Sequence, residues 1–155
     1  MANPQPDTSL TRLVLALREE KIRFVIVGMS AAVVQGAPVV TFDTDIWLDL
    51  LERDYMRATN LCLRLGATMR ASTVFIFPDD TMVNFLYRVT GLKSFEAEYR
   101  HARRLNWLGL RRVPVLGLNR IYKSKSVVRR PKDIAHLTIL KQLMACEKRI
   151  QRKTK

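Results

Sequence analysis

Acid is scarce in the second half of this sequence. Residues 81–155 carry four Asp/Glu against nineteen Lys/Arg, whereas residues 1–80 carry ten against eight, so the net charge of +13 divides into −2 and +15. Between Tyr99 and Lys132 there are eleven Lys/Arg and no acid at all. If those side chains share a face, their potential favours a polyphosphate or nucleic acid as partner. A merely solvated basic surface is the alternative. Cysteine is scarce too: Cys62 and Cys146 lie far apart, with no Cys or His at metal-ligand spacing, and both read as buried reduced thiols. The two histidines, His101 and His136, likewise lack a partner at ligand spacing and read as surface or capping residues. No apolar run approaches the roughly 20 residues of a spanning helix. The start, Met1 to Asp7, lacks the basic flank and apolar stretch of a secretory signal. The expectation is a cytoplasmic protein with no membrane partner.

What is present is enough for a core. At 155 residues and 48% apolar composition the chain predicts one domain over 1–155, with 1–8 and 150–155 flexible. Pro4 and Pro6 make the start irregular. Leu10, Leu13, Val14 and Leu17 then recur at helical spacing and predict a helix over 9–20, capped by Asp7, Thr8 or Ser9. Phe24 to Gly28 reads as a β-branched strand ending in glycine, and Ser30 to Gly36 as a short helix. A second strand is expected over 44–50 and a helix over 53–65, with Tyr55, Ala58, Cys62 and Leu65 inward and Gly66 closing it. Residues 73–77 and 82–87 flank Pro78-Asp-Asp-Thr and predict an antiparallel hairpin, which makes the sheet mixed. A basic helix over 95–105, a short strand over 112–116 and a helix over 118–127 follow. Pro131 suits the start of a terminal helix that buries Ile134, Leu137, Leu140 and Met144 and frays beyond Arg149. The fold class is α/β (α+β), a small mixed sheet flanked by helices.

Asp43-Thr44-Asp45 carries most of the chemical content. On a strand, residues two apart point to the same face about 7 Å apart. Two neighbouring carboxylates repel unless a cation lies between them. Mg²⁺ suits them, because it takes hard oxygen ligands from one or two carboxylates and completes its shell with phosphates and water. Gly28 and Ser30, at the mouth of a helix, add backbone amides and a hydroxyl for a phosphate. Together these predict a nucleoside triphosphate site; two exposed turn aspartates are the bland alternative. Asp49 keeps the same parity but reads as a distal surface or N-cap residue.

The order strand, Val27-Gly28-Met29-Ser30-Ala31-Ala32, short helix, then Thr41-Phe42-Asp43-Thr44-Asp45-Ile46 resembles the nucleotidyltransferase superfamily, in particular small bacterial proteins related to the AbiEii-type toxins. Gly91 to Glu96, Val113 to Leu116, and Ile121 to Lys125 leading to Arg130-Pro-Lys-Asp133 resemble the closing part of that family. The similarity runs from about Leu10 to Met144. It implies transfer of a nucleoside monophosphate from an NTP to a hydroxyl, with two Mg²⁺ ions as cofactors. It places Asp43 and Asp45 on the metal and Lys125 at the triphosphate, with Arg130 and Lys132 nearby and Asp133 orienting one of these cations. The acceptor would be an RNA, such as a tRNA, or a protein, and a cognate antitoxin or toxin is a further implied partner.

Three departures from the pattern matter. Where the family carries a third carboxylate, this sequence has Val83-Asn84-Phe85, and an amide cannot accept the proton of an attacking hydroxyl. Met29 replaces the second small residue, and Val39 and Val40 stand where an Arg is usual. Asp79 or Asp80 in the hairpin turn is a distant substitute for the base. The Arg130–Asp133 turn also reads as a plain helix start, with Asp133 in its first turn. Tyr99, Trp107 and Tyr122, interleaved with arginines, suit either nucleobase stacking or core packing. Two functions therefore stand: an active Mg²⁺-dependent transferase, or a degenerate member of the fold that binds nucleic acid or a partner protein.

Overall fold

A computed structural model describes residues 8–49 and 52–153. Among these, the elements are α1 (Ser9–Glu19), β1 (Phe24–Val27), α2 (Gly28–Val34), β2 (Asp43–Leu48), α3 (Glu52–Arg64), β3 (Thr68–Ala71), β4 (Val74–Ile76), β5 (Met82–Leu86), α4 (Phe95–His101), β6 (Arg103–Trp107), β7 (Leu110–Val115), α5 (Leu118–Val128) and α6 (Pro131–Lys153). The strands form one mixed sheet in the order β3-β4-β5-β2-β1-β7-β6. Strand β1 pairs antiparallel with β2 and parallel with β7, and β2 pairs parallel with β5. The α/β class with a mixed sheet is as expected.

The centre of the sheet follows from apolar content. All four β1 residues are buried, as the continuous β-branched run requires of a strand covered on both faces. Strand β2 grades from exposed Asp43 to buried Trp47 and Leu48, so its polar head emerges where its apolar end enters the core. Helix α1 buries Leu13, Val14 and Leu17 and is capped by Thr8, whose hydroxyl accepts from the Thr11 amide at 3.2 Å. Helix α3 buries Ala58, Leu61 and Cys62. Burial pushes the Cys62 thiol up to about 12, which keeps it protonated and inert. The hairpin of β4 and β5 forms as predicted.

Several expectations need correction. The basic helix stops at His101, because Ala102 is extended (φ −62°, ψ 148°) and the chain turns into β6. Strand β6 returns through Leu108 and Gly109, at φ 56° and 75°, into β7. Two consecutive left-handed residues match the twist of a tight hairpin, and Leu-Gly conceals a turn that Asn-Gly would have announced. Strand β3 was not expected: all four of its residues are exposed, so no apolar alternation marks it. Helix α6 continues through 150–153 instead of fraying at Arg149. Its first turn is rotated from the predicted face, burying Asp133 while Ile134 stays half exposed. Cys146 is exposed, not buried. Pro4, Pro6, Asp7, Leu50 and the last two residues lie outside the described ones. No described helix is long and apolar enough to cross a membrane.

Candidate active site

The β1–α2 junction brings backbone against carboxylate. Val27 pairs with Asp45 across β1 and β2, and Gly28 turns the chain into α2 at φ +67°. A Cβ at Gly28 would lie 2.9 Å from Asp45 Oδ2, so both the conformation and the close approach require glycine here. Ser30 is buried, and its hydroxyl donates to the Asp43 carbonyl at 2.8 Å. Ser30 thereby ties α2 to the head of β2.

Asp43 is exposed and Asp45 half-buried. Burial, and then the charge of Asp43, pushes the Asp45 carboxyl above its ordinary value. The Asn84 amide, Lys125 and Lys132 pull the other way. Asn84 stands directly across from Asp45 in the β2–β5 register. Its Nδ2 donates to Asp45 Oδ1 at 3.4 Å, and its Oδ1 accepts from the Thr73 hydroxyl at 2.9 Å. Asn84 thus lies beside the pair, where the family resemblance puts it, but the amide is committed as a donor to Asp45 and its own oxygen already has a partner.

A cavity of about 250 Å³ opens beside Asp45, with Gly28, Arg88, Lys125, Arg130 and Asp133 among its polar walls and Leu86, Leu116 and Ile121 among its apolar ones. Asp133 is fully buried and accepts from Lys125 Nζ at 3.2 Å and from Arg130 through its backbone N at 3.0 Å, Nε at 2.8 Å and Nη2 at 3.3 Å. The Arg130 guanidinium, its amide and Lys125 hold this carboxyl well below the usual carboxylate range, outweighing burial. Burial pulls the Lys125 ammonium below its ordinary value, against the attraction of Asp133. The Arg130–Asp133 turn is therefore both a helix start and a charge clamp, and the two readings of it are compatible. Lys132 is exposed and lies outside the cavity lining, although its charge reaches Asp45.

Arg88 escaped the sequence reading. It follows the end of β5, four residues after Asn84, and has no carboxylate partner among the described residues. An isolated arginine at a strand end carries no spacing signal. His136 is also misplaced by sequence: it is half-buried, its Nδ1 has no partner, and burial and the Lys125 charge hold its imidazole below the ordinary value. His101 is exposed, as expected. Asp79 does not reach the site. It accepts from the Ser9 amide at 2.9 Å and the Thr81 amide at 3.1 Å, bonds that outweigh its burial and lower it to about 2. Asp49 is a surface partner of Arg23 at 2.8 Å. Trp107 and Tyr122 pack against the core.

The donor set fits one hard divalent cation between Asp43 and Asp45, where it would offset the burial and the Asp43 charge that raise Asp45. It does not fit two. A second ion needs a further carboxylate, Asn84 stands in that position, and no cluster of three or more His, Cys, Asp or Glu suited to a metal occurs among the described residues.

No family model matches the chain, and no curated protein matches it in sequence. Solved structures match it in fold. The crystal structure of ANT(2″)-Ia in complex with adenylyl-2″-tobramycin has a TM-score of 0.58 at 11% identity, covering 90% of this chain and 89% of that one. A Thermotoga maritima protein assigned as a nucleotidyltransferase, TM1012, has a TM-score of 0.55 at 19% identity, covering 94% and 96%. The chain shares its fold with these two proteins. Within this fold the head of β2, the start of α2 and the α5–α6 turn converge on one cleft, at the level of Asp45.

Proposed function

We propose that this protein is a divalent-cation-dependent nucleotidyltransferase that moves a nucleoside monophosphate from an NTP to a hydroxyl of an RNA, such as a tRNA, or of a protein. The observation that carries the reading is the approach of Gly28 to Asp45 in a cleft whose other wall bears Arg88, Lys125 and Arg130. Asp43 and Asp45 would hold a single Mg²⁺, which when bound neutralises the pair and polarises the phosphate. Lys125 and Arg130, fixed by Asp133, take the β- and γ-phosphate charge, and Arg88 extends that cationic wall. The acceptor oxygen forms a bond to the α-phosphorus as the bond to the β-phosphate oxygen breaks, releasing pyrophosphate. Asn84 cannot take the hydroxyl proton, so that proton leaves to solvent. The resemblance to AbiEii-related proteins adds a bacterial cytoplasmic setting and a cognate toxin or antitoxin partner.

One observation favours a second reading. The Asn84 amide donates to Asp45 where a base would stand, which suits a degenerate scaffold that binds nucleic acid or a partner protein without turnover. Incubation with each α-labelled NTP, Mg²⁺ and total cellular RNA and protein separates the two. Label on a macromolecule with wild type but not with Asp43→Ala/Asp45→Ala is the expected result. No label with any nucleotide, alongside intact nucleic-acid binding by both proteins, sinks the transferase reading.

A further inference from the structure

A second cavity, of about 270 Å³, lies at the opposite end of β1 from the cleft: Phe24 lines it, whereas Val27 lines the cleft. Five cations border it, Arg18, Lys21, Arg23, Arg104 and Arg112, and no acid does. Arg23 has carboxylate partners in Asp49 and Glu96, at 2.8 and 2.5 Å. Arg18 donates to the Arg111 carbonyl, and Arg104 to the carbonyls of Tyr99 and Ala102, contacts that orient the guanidinium without neutralising it. Lys21 and Arg112 have no carboxylate partner among the described residues.

Among the groove residues, the backbone marks the same two. Lys21 has φ 57° and Arg112 φ 55°, in the left-handed region that L-residues adopt only against strain. Lys21 sits just past the end of α1, the position where helices favour glycine. Arg112 sits in a bulge of β7, where the register shifts opposite Asn106 and glycine is again the favoured residue. Two cations with no carboxylate partner among the described residues thus occupy glycine positions and line one groove.

Tyr99 sharpens the chemistry. Its ring is engaged by Arg23 at 5.2 Å, Arg104 at 4.6 Å and the stacked ring of Phe95 at 5.5 Å, so it braces guanidinium groups in place of serving as a platform for a base. The apolar lining, Ile22, Phe24 and Pro114, is buried and offers no hydrophobic anchor of the kind a protein interface needs. We infer that this groove binds the phosphate backbone of a nucleic acid, through charge and without base readout. The inference is independent of the transferase reading, since none of the groove residues lines the cleft.

The test is fluorescence anisotropy of a labelled oligouridylate across a salt series, with EDTA and without NTP, so that failure of the transferase reading leaves it intact. Lys21→Gly/Arg112→Gly removes both charges while easing the backbone. The expected result is a log–log salt slope shallower by about 1.4, from two phosphate contacts, and an affinity about tenfold lower, with a melting temperature unchanged or higher. An unchanged slope and affinity overturns the inference. Lys21→Gln/Arg112→Gln removes the same charges without the unfolded-state entropy of glycine and should show the same loss; unchanged binding by that variant also overturns the inference. Displacement of the RNA by polyglutamate at equal charge concentration, as effectively as by unlabelled RNA, would make the groove an acidic-peptide surface instead.

Discussion

Asp133→Ala is expected to destabilise the protein by about 3–5 kcal/mol, the range for stranding one partner of a buried ion pair. Asp133 is fully buried, and Lys125, its 3.2 Å partner, is itself only 12% exposed. Arg130 is 55% exposed and can return its charge to water, so Lys125 bears most of the loss. Denaturant unfolding of Asp133→Ala against wild type measures the effect, and Lys125→Met/Asp133→Leu should recover most of it. The pH dependence has a definite sign. The folded Asp133 carboxyl is held below its unfolded value. Its contribution is therefore complete above the ordinary carboxylate value of about 3.9 and is lost as pH falls further toward the folded value. The gap between wild type and Asp133→Asn should be flat from about pH 5 to 8 and narrow below about pH 4. A gap that grows on acidification would contradict this assignment.

Asn84→Asp is expected to raise activity. The new carboxylate would replace a donor to Asp45 with a like charge across the β2–β5 register. Without a divalent cation, stability should fall by on the order of 1 kcal/mol, as Asp45 is pushed further up. With Mg²⁺ the sign reverses, because a cation bound only to the folded state stabilises it by mass action. The Thr73 hydroxyl, now at 2.9 Å from the Asn84 oxygen, can donate to the carboxylate in the same place. A general base beside the pair should raise single-turnover transfer by about 100-fold or more. Thermal melting with and without Mg²⁺, paired with single-turnover transfer, reads both effects. A variant with no gain from Mg²⁺ and no faster transfer would show that Asn84 is not the missing carboxylate.

The central unit was legible in the sequence because its signals are local. A β-branched run ending in Gly28, a short helix and two aspartates at strand spacing give β1, α2 and β2 together with the carboxylate pair. The position of Asn84 and the pairing of Lys125 with Asp133 were legible only through the family resemblance, since each depends on contacts that spacing does not encode. Other parts carried no signal at all. Strand β3 has no apolar face, the β6–β7 turn lacks Asn-Gly, and Arg88 is a single cation at a strand end. In the sequence the basic run from 99 to 132 gives one positive potential only if its side chains share a face. In the fold it divides, with Lys125 and Arg130 at the cleft and Arg104 and Arg112 at the far end of β1. The long-range pairing of strands decides that division, and charge counting cannot see it.

Transferase chemistry here requires the cleft beside Asp45 to hold a metal-bound nucleoside triphosphate. Calorimetric titration of each NTP into wild type and Asp43→Ala/Asp45→Ala, in Mg²⁺ and in EDTA, addresses that claim directly. Saturable binding of at least one NTP by wild type in Mg²⁺, weakened at least about tenfold by EDTA or by the double substitution, is the predicted result. Equal affinity in all four conditions, or no NTP binding by wild type in Mg²⁺, would contradict it.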